Sequence, residues 1–248
     1  MDLLVVGAGA MGRWVADVAA ADGATVAFAD ADPAVAEAAA TERGARTVAV
    51  DGNERFDAVC LAVPMSVAAD AVAAQAPRAD RALLDVVGVM EPVVAAMRDS
   101  APDRERLSLH PLFAPANEPG NVAAVHDAAG PVTDRLRAAV EAAGNHVFDT
   151  TPAEHDAAMG TVQAGAHAAV LAYGLAAEEV REEFTTPVSR RLDDLVATVT
   201  GGTPRVYREI QETFDGAERV AEAARRVADA DGEAFEELYR EAGEGRDG

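Results

Sequence analysis

The chain has 248 residues, half of them apolar, and its 43 acidic residues outnumber its 21 basic residues to give a formal net charge of −22. This negative field disfavours nucleic acids and anionic membrane surfaces as partners. The acidic surplus and the absence of lysine are typical of a halophilic protein, although a GC-rich genome that replaces lysine with arginine would produce the same composition.

The longest apolar stretches have the length of strands, and no basic segment precedes them. The sequence therefore predicts neither a membrane span nor a signal peptide. Its single cysteine, Cys60, excludes an internal disulfide and lies in an apolar run. These features predict a cytoplasmic protein.

The N-terminal part alternates short runs rich in valine and leucine with alanine-rich amphipathic segments, which is the pattern of parallel strands joined by crossover helices. Six strands are predicted in order, at "DLLVVGA", "ATVAFAD", "RTVAV", "DAVCLAV", "ALLDVVG" and "LSLHP". After the second strand, Asp32 is a predicted helix N-cap, Pro33 takes the first helical position and Gly44 follows the end. A helix at about 132–143 and a last strand, "HVFDT", close a predicted dinucleotide-binding domain at residues 1–150.

From residue 151 onward the strand pattern disappears. Thr151 is the predicted N-cap of a long helix that reaches about residue 180, with Pro152 at its first position and Glu154 placed for a capping box. Further helices are predicted at about 187–200, 204–214 and 216–241, and the tail "EGRDG" is expected to fray. Their apolar stripe must be buried either against the first domain or against a second copy of the chain. A homodimer is expected, with residues 151–248 as its all-helical substrate and dimerisation domain.

The first predicted strand runs directly into the glycine-rich stretch "GAGAMG" at the start of a helix. Gly7 permits a tight turn, Gly9 lets the backbone approach a pyrophosphate, and Gly12 allows close packing of the helix on the strand. Ala10 and Met11 complete a helix N-terminus whose free N–H groups favour phosphates. A tight turn in a domain that has lost its cofactor is the alternative.

The second predicted strand ends at Asp30, where a carboxylate can accept hydrogen bonds from the adenosine ribose of NAD. The same carboxylate would repel a 2′-phosphate, and no arginine follows it directly, so NAD is expected rather than NADP. The fourth strand ends at "LAVPMS", where Pro64 and Ser66 either border the nicotinamide ribose or form a turn.

A strand that ends at His110, with Pro111 stopping it, would bring an imidazole to the same carboxyl edge of the sheet. A neutral imidazole there can accept a proton from a substrate hydroxyl as hydride leaves the carbon that bears it. His110 is therefore the predicted catalytic residue, and a structural histidine is the alternative. No metal site is predicted, because the five histidines lack paired ligand spacing and the adjacent His155 and Asp156 should point to different faces of a helix.

The stretch "EHDAAMGTVQAGAHAAVLAYGLA" places Asp156, Gln163, His167 and Gly174 within about 20° of one stripe, at about 100° per helical residue. Polar and small residues on an otherwise apolar helix suit the wall of a binding site, so Gln163 is expected to contact substrate. A close contact between two helices is the alternative.

Taken together, these segments resemble the prephenate dehydrogenase family of tyrosine biosynthesis. The resemblance covers nearly the whole chain and is carried by the glycine-rich stretch, "LAVPMS", "LLDVVGVMEP", "LHPLFAP", the "EHD" helix, "TTPVSRR" and "YREI". It implies a Rossmann-type, doubly wound and mostly parallel α/β sheet followed by a helical dimerisation domain. The implied activity is the NAD-dependent oxidative decarboxylation of prephenate to 4-hydroxyphenylpyruvate.

The resemblance also implies roles for individual residues. His110 falls on the catalytic histidine of the family, which hydrogen-bonds the 4-hydroxyl of the substrate, and His167 falls on the histidine that lines the substrate site. Prephenate is a dianion that a guanidinium can bind in a bidentate fork. Arg190 is the first candidate for that role, with Arg191 and Arg205 as alternatives.

The sequence departs from the family pattern at several positions. Gly88 and Met90 stand where members often carry serine and lysine, and Ala166 stands where some carry arginine. These departures leave arogenate open as the substrate. A different Rossmann oxidoreductase, such as a β-hydroxyacid dehydrogenase or an imine reductase, and a non-catalytic NAD-binding regulator also remain open. The absence of lysine argues against the usual β-hydroxyacid mechanism.

Overall fold

A computed structural model describes residues 1–244, so residues 245–248 of the predicted frayed tail lie outside the described part. The chain divides into two compact units, the first Met1–Ala157 and the second beginning at Ala158. The division falls inside the first helix after residue 150. Among residues 1–244, no helix is both long and apolar enough to cross a membrane.

The first unit contains an eight-stranded sheet in the order β3-β2-β1-β4-β5-β6-β7-β8. The strands are β1 Asp2–Val6, β2 Thr25–Ala29, β3 Arg46–Thr47, β4 Phe56–Leu61, β5 Ala79–Asp85, β6 Glu105–Pro111, β7 Asn121–Ala128 and β8 His146–Asp149. β1 to β6 are parallel, and β7 pairs antiparallel with β6 and parallel with β8. The order of the first six strands is that of a doubly wound dinucleotide-binding sheet, which confirms the predicted Rossmann-type α/β class.

The helices of this unit are α1 Ala10–Ala21, α2 Pro33–Arg43, α3 Ala68–Gln75, α4 Glu91–Ser100 and α5 Pro131–Ala142. Right-handed crossovers place α1 and α2 on one face of the sheet and α3 and α4 on the other. The central strands are therefore apolar on both faces, and Leu3, Leu4, Val5, Phe28 and Leu83 are fully buried.

The predicted ends of α2 are confirmed. The Asp32 carboxylate accepts a hydrogen bond of 3.0 Å from the N–H of Ala34, and Pro33 opens the helix. Gly44 ends it in the left-handed conformation, with φ of 63°.

Two strands differ from the prediction. The third, predicted at residues 46–50, is limited to Arg46–Thr47. β7 was not predicted, because "NVAAVHDA" is rich in alanine and carries no strong strand signal of its own. It becomes a strand by pairing with β6, which shows that tertiary context outweighs local propensity here.

The second unit is helical over its described residues. Its elements are the end of α6 Pro152–Met159, a π-helical segment Gly160–Gly165, and then α7 Ala166–Ala176, α8 Pro187–Thr200, α9 Pro204–Thr213, α10 Gly216–Asp229 and α11 Gly232–Gly243. The predicted helices at 187–200 and 204–214 are confirmed. The predicted helix at 216–241 is two helices, because Asp231 caps α11 by accepting a hydrogen bond of 3.1 Å from the N–H of Ala234.

The single helix predicted from residue 151 to about 180 is also wrong, since it is interrupted by the π-helical segment and ends at Ala176. The start of α10 packs closely on this segment: a Cβ on Gly216 would lie 2.2 Å from the Gly160 carbonyl oxygen. The Gln211 side-chain N–H donates to the Ala164 carbonyl over 3.0 Å. Because a π turn is wider than an α turn, the uniform step of about 100° per residue used in the prediction does not apply across this segment.

Candidate functional site

The glycine-rich stretch forms the tight loop between β1 and α1. Gly7 has a φ of 97°, and its N–H donates to the Ala29 carbonyl over 2.8 Å. A Cβ on Gly12 would lie 1.8 Å from the Gly7 carbonyl oxygen, so the helix packs on the loop as closely as only glycine allows. A Cβ on Gly9 would meet no protein atom within 4 Å, which leaves space beside the loop.

The N-terminus of α1 suits an anion. Gly9 is the N-cap, no side chain caps the helix, and its first turn contains no acidic residue. The first N–H groups, at Ala10, Met11 and Gly12, therefore lie at the positive end of the helix dipole without a neighbouring carboxylate cap. Together with the space beside Gly9, this end of α1 fits the pyrophosphate of a dinucleotide.

Asp30 lies directly beside this loop at the end of β2. One carboxylate oxygen accepts the N–H of Ala8 over 2.7 Å, and the other accepts the N–H of Asp32 over 2.9 Å. Each oxygen has a second lone pair that can accept a ribose hydroxyl. The nearby Arg13 donates to the Ala8 carbonyl and to Glu42, so its charge is already balanced.

The segment after β4 begins against the same loop. A Cβ on Gly7 would lie 2.3 Å from the Ala62 carbonyl oxygen. Pro64 then precedes a short 3₁₀ turn, Met65–Val67, in which Ser66 is exposed. β1 and β4 are the neighbours at which the strand order reverses, and open α/β sheets bind their ligands at such a point.

His110 is buried near the carboxyl end of β6. The prediction that this strand ends at His110 is wrong by one residue, because Pro111 still pairs with Val122 of β7. Proline is tolerated there, since it is the last residue of the strand.

The His110 ring is held neutral. Burial lowers its pKa well below the usual 6.5, the neighbouring His155 ring lowers it further, and Asp156 opposes the shift. A neutral imidazole has one ring nitrogen that donates and one that accepts. This is the state that a general base requires before it takes up a proton.

His155 and Asp156 continue from His110 in a chain of hydrogen bonds. His110 Nδ1 and His155 Nε2 are 2.8 Å apart, and His155 Nδ1 and Asp156 Oδ1 are 2.7 Å apart. The Asp156 carboxylate also accepts the N–H groups of Met90 and Glu91, each over 2.9 Å. The expectation that the two adjacent side chains diverge is wrong, because the His155 ring bonds the Asp156 carboxylate directly.

The other edge of the His110 ring faces Gly88, in the loop after β5. A Cβ on Gly88 would lie 3.5 Å from His110 Nε2 and 3.2 Å from Met65 Sδ. A serine at this position would place its hydroxyl beside the Nε2 atom, and glycine supplies no such group.

Asp85, at the end of β5, is a fully buried carboxyl that sequence analysis did not single out. Its Oδ1 accepts the N–H of Val87 over 2.9 Å, and its register partner on β6 is Ser108. Burial raises the Asp85 pKa from 3.8 to about 7, although the Val87 N–H and Ser108 favour the ionised form.

The substrate-binding candidates of the second unit lie on three elements. Gln163 is in the π-helical segment, His167 is in α7 and Arg190 is in α8. The His167 ring is half-buried, which lowers its pKa, and its centroid lies 4.8 Å from that of Tyr207. Arg190 is exposed, and its Nε donates to the Thr185 hydroxyl over 2.9 Å.

Among the residues that the structure describes, no group of three His, Cys, Asp or Glu side chains could hold a metal ion.

His155 is the functional candidate that sequence reasoning missed. The available signal was the polar triplet "EHD" at the start of an otherwise apolar helix, which the family resemblance also includes. Its partner on β6 is 45 residues away, so no local pattern connects the two rings.

The carboxyl edge of this sheet carries a glycine-rich loop that fits a phosphate, a carboxylate that can accept ribose hydroxyls and a buried imidazole, an arrangement typical of dinucleotide-dependent dehydrogenases. A family model for the NAD binding domain of 3-hydroxyacyl-CoA dehydrogenase matches residues 2–93. The 4-amino-4-deoxyprephenate dehydrogenase of Streptomyces pristinaespiralis is 33% identical over 267 residues, which cover 96% of this chain and 88% of that protein. The chain belongs to the prephenate and arogenate dehydrogenase family.

Solved structures share the fold at lower identity. The prephenate dehydrogenase of Aquifex aeolicus, in complex with hydroxyphenyl propionate and NAD+, is 19% identical with a TM-score of 0.71, over 98% of this chain and 92% of that one. The arogenate dehydrogenase of Synechocystis is 14% identical with a TM-score of 0.65, over 98% of both chains.

Proposed function

We propose that this chain catalyses the NAD-dependent oxidative decarboxylation of prephenate to 4-hydroxyphenylpyruvate. The observation that carries the proposal is the neutral His110 ring, whose Nδ1 already bonds His155 and whose Nε2 faces Gly88 at the carboxyl edge of the sheet. An acceptor nitrogen at this edge suits a substrate hydroxyl on the carbon that loses hydride.

The residues proposed to hold the dinucleotide all belong to the first unit. When bound, NAD supplies the hydride acceptor. The residues proposed to hold it are Gly7, Gly9, Ala10, Met11, Gly12, Asp30, Pro64 and Ser66. Asp30 favours NAD over NADP, because its carboxylate would repel a 2′-phosphate and the neighbouring Arg13 is paired with Glu42.

His110 Nε2 takes the proton of the substrate 4-hydroxyl as hydride leaves the ring carbon. The lowered pKa keeps the ring unprotonated and ready to act in this way. Loss of the ring carboxylate as carbon dioxide then restores aromaticity, which drives the reaction forward.

The substrate carboxylates need positive charge in a chain this acidic. Arg190 is our first candidate. Its Nε donates to the Thr185 hydroxyl, which is neutral and therefore does not balance the charge of the guanidinium. Arg205 is less suited, since its Nε lies 4.0 Å from Glu209. His167 and Gln163 are proposed as further substrate contacts.

A second candidate substrate is 4-amino-4-deoxyprephenate, on which the Streptomyces relative is named to act. An acceptor Nε2 on His110 can receive the N–H of a neutral amine as well as an O–H. Arogenate is a third candidate, since it differs from prephenate only in the side chain, far from the ring carbon that loses hydride.

The test is NADH formation, followed by absorbance, with each of the three substrates and with NAD or NADP. Because we propose that the chain is halophilic, the assay uses molar-range KCl. We expect the highest kcat/KM for prephenate with NAD. A higher value for the amino compound would select the second candidate, and no turnover despite NAD binding would indicate the regulator.

We also propose a cytoplasmic homodimer that forms through the second unit, with no nucleic acid or membrane partner. That unit exposes large apolar side chains, among them Phe184, Val188 and Leu175, the last of which is 89% exposed. A solvated helical unit would not retain such side chains without a covering partner. Sedimentation equilibrium in molar-range KCl should give twice the chain mass, and a monomer mass would contradict the proposal.

A further inference from the structure

Three side chains form one continuous hydrogen-bonded chain that ends at His110. His110 Nδ1 contacts His155 Nε2, His155 Nδ1 contacts Asp156, and the Asp156 carboxylate is bonded by two backbone N–H groups at the start of α4. The His110 and His155 side chains are buried, so water does not compete for these contacts.

The charge state of Asp156 determines which atoms donate in these hydrogen bonds. Burial opposes ionisation of this carboxyl, but hydrogen bonds from His155, Glu91 and Met90 together lower its pKa below 3.8. The positive end of α4 adds to this effect. A carboxylate only accepts hydrogen bonds, so the proton of His155 must lie on Nδ1.

The remaining contact is then determined. If Nδ1 of neutral His155 carries the proton, its Nε2 is an acceptor. His110 must therefore donate from Nδ1 across the 2.8 Å contact, which leaves its own Nε2 without a proton. The reverse arrangement would bring two acceptors together at the 2.7 Å contact with Asp156.

We propose that His155 and Asp156 are positioning residues for the reaction: they hold His110 in the tautomer with the proton on Nδ1, so that Nε2 faces Gly88 as an acceptor. This inference rests on the proposed function for its catalytic meaning. The tautomer itself does not depend on the proposed function, because it exists before any substrate binds.

The same hydrogen bonds can move positive charge away from His110 after it takes up the substrate proton. When Nε2 of His110 takes a proton from the substrate hydroxyl, the Nδ1 proton can pass to His155 Nε2. His110 is then neutral again, and the positive charge lies on the ring that bonds the Asp156 carboxylate. This placement matters because burial makes a lone imidazolium at His110 unfavourable.

The first experiment measures the tautomer without substrate. Protein labelled with ¹⁵N-histidine, in molar-range KCl, is examined by long-range ¹H–¹⁵N correlation NMR. The signals of His110 and His155 are assigned from their disappearance in His110→Asn and His155→Gln. We expect both rings to carry the proton on Nδ1, and a His110 ring with its proton on Nε2 would overturn the inference.

The second experiment compares His155→Gln with His155→Leu. The Gln amide oxygen can still accept from His110 Nδ1, whereas leucine offers no acceptor. We expect kcat to fall by about 10- to 100-fold in the leucine variant, as is typical when an orienting partner is lost, and less in the glutamine variant. The KM for substrate and the Kd for NAD should change little in both variants, because His155 is not placed at a ligand.

The control is His146→Gln, which alters an exposed ring at the start of β8 and should leave kcat unchanged. A merely structural role for His155 would instead lower thermal stability and weaken NAD binding in step with kcat, without rescue by glutamine. That result, or full activity in His155→Leu, would overturn the inference. If no substrate is turned over, the proposed function fails and the NMR result alone decides the tautomer.

Discussion

Replacing His110 with asparagine is expected to lower kcat by about 10²- to 10⁴-fold, the range contributed by a positioned general base. The asparagine amide can still donate to His155, so the packing of β6 against α6 should be retained. It has no ring nitrogen that could take the substrate proton. Turnover is measured as NADH formation, and NAD binding is measured by calorimetry on the same preparation.

The Kd for NAD should be nearly unchanged in this variant, because His110 is not among the residues proposed to hold the dinucleotide. The exposed His146, changed to asparagine, is the matched control and should keep its full kcat. If His110→Asn turns over substrate at the wild-type rate, the ring is structural and the proposed mechanism is wrong.

Substituting alanine at Gly12 should destabilise the protein, whereas the same substitution at Gly9 should leave its stability unchanged. A Cβ at Gly12 would lie 1.8 Å from the Gly7 carbonyl oxygen, so α1 must move away from the loop. We expect this variant to lose about 3 kcal/mol of unfolding free energy, at the upper end for overpacking, and to bind no NAD. Thermal and urea unfolding measure the stability.

Gly9→Ala is the matched variant, because its Cβ would meet no protein atom within 4 Å. Its stability should stay within about 0.5 kcal/mol of wild type. The Kd for NAD should rise by about 10- to 100-fold, which corresponds to a steric cost of about 1–3 kcal/mol where the backbone must approach the pyrophosphate. Wild-type NAD affinity in Gly9→Ala would show that the dinucleotide does not approach this loop.

The features that the sequence determined by itself are those written in local patterns. The glycines at 7, 9 and 12, the carboxylate of Asp30 and the caps at Asp32 and Gly44 depend on residues close together in the chain. Continuous apolar runs marked the buried parallel strands, because such strands are covered on both faces. These signals were sufficient for the Rossmann-type class and for the position of His110 at one edge of the sheet.

Pairing over long distances was decided only by the tertiary structure. β7 is an alanine-rich segment that becomes a strand because β6 offers it an antiparallel edge. The π-helical segment Gly160–Gly165 lies where Gly216 approaches its backbone and Gln211 bonds one of its carbonyls. No periodicity within either segment predicts these contacts, since their partners lie on other elements.

For the same reason, the sequence predicted His110 but not the role of His155 and Asp156 in fixing its tautomer. The sequence placed a histidine at the sheet edge, but an isolated imidazole is undetermined in tautomer and orientation. Folding brings the start of α6 against β6 and α4, so that Asp156 meets two backbone N–H groups and His155 meets the His110 ring. The local sequence placed the His110 imidazole at the sheet edge, and contacts between distant segments determine which of its two nitrogens is free to accept a proton.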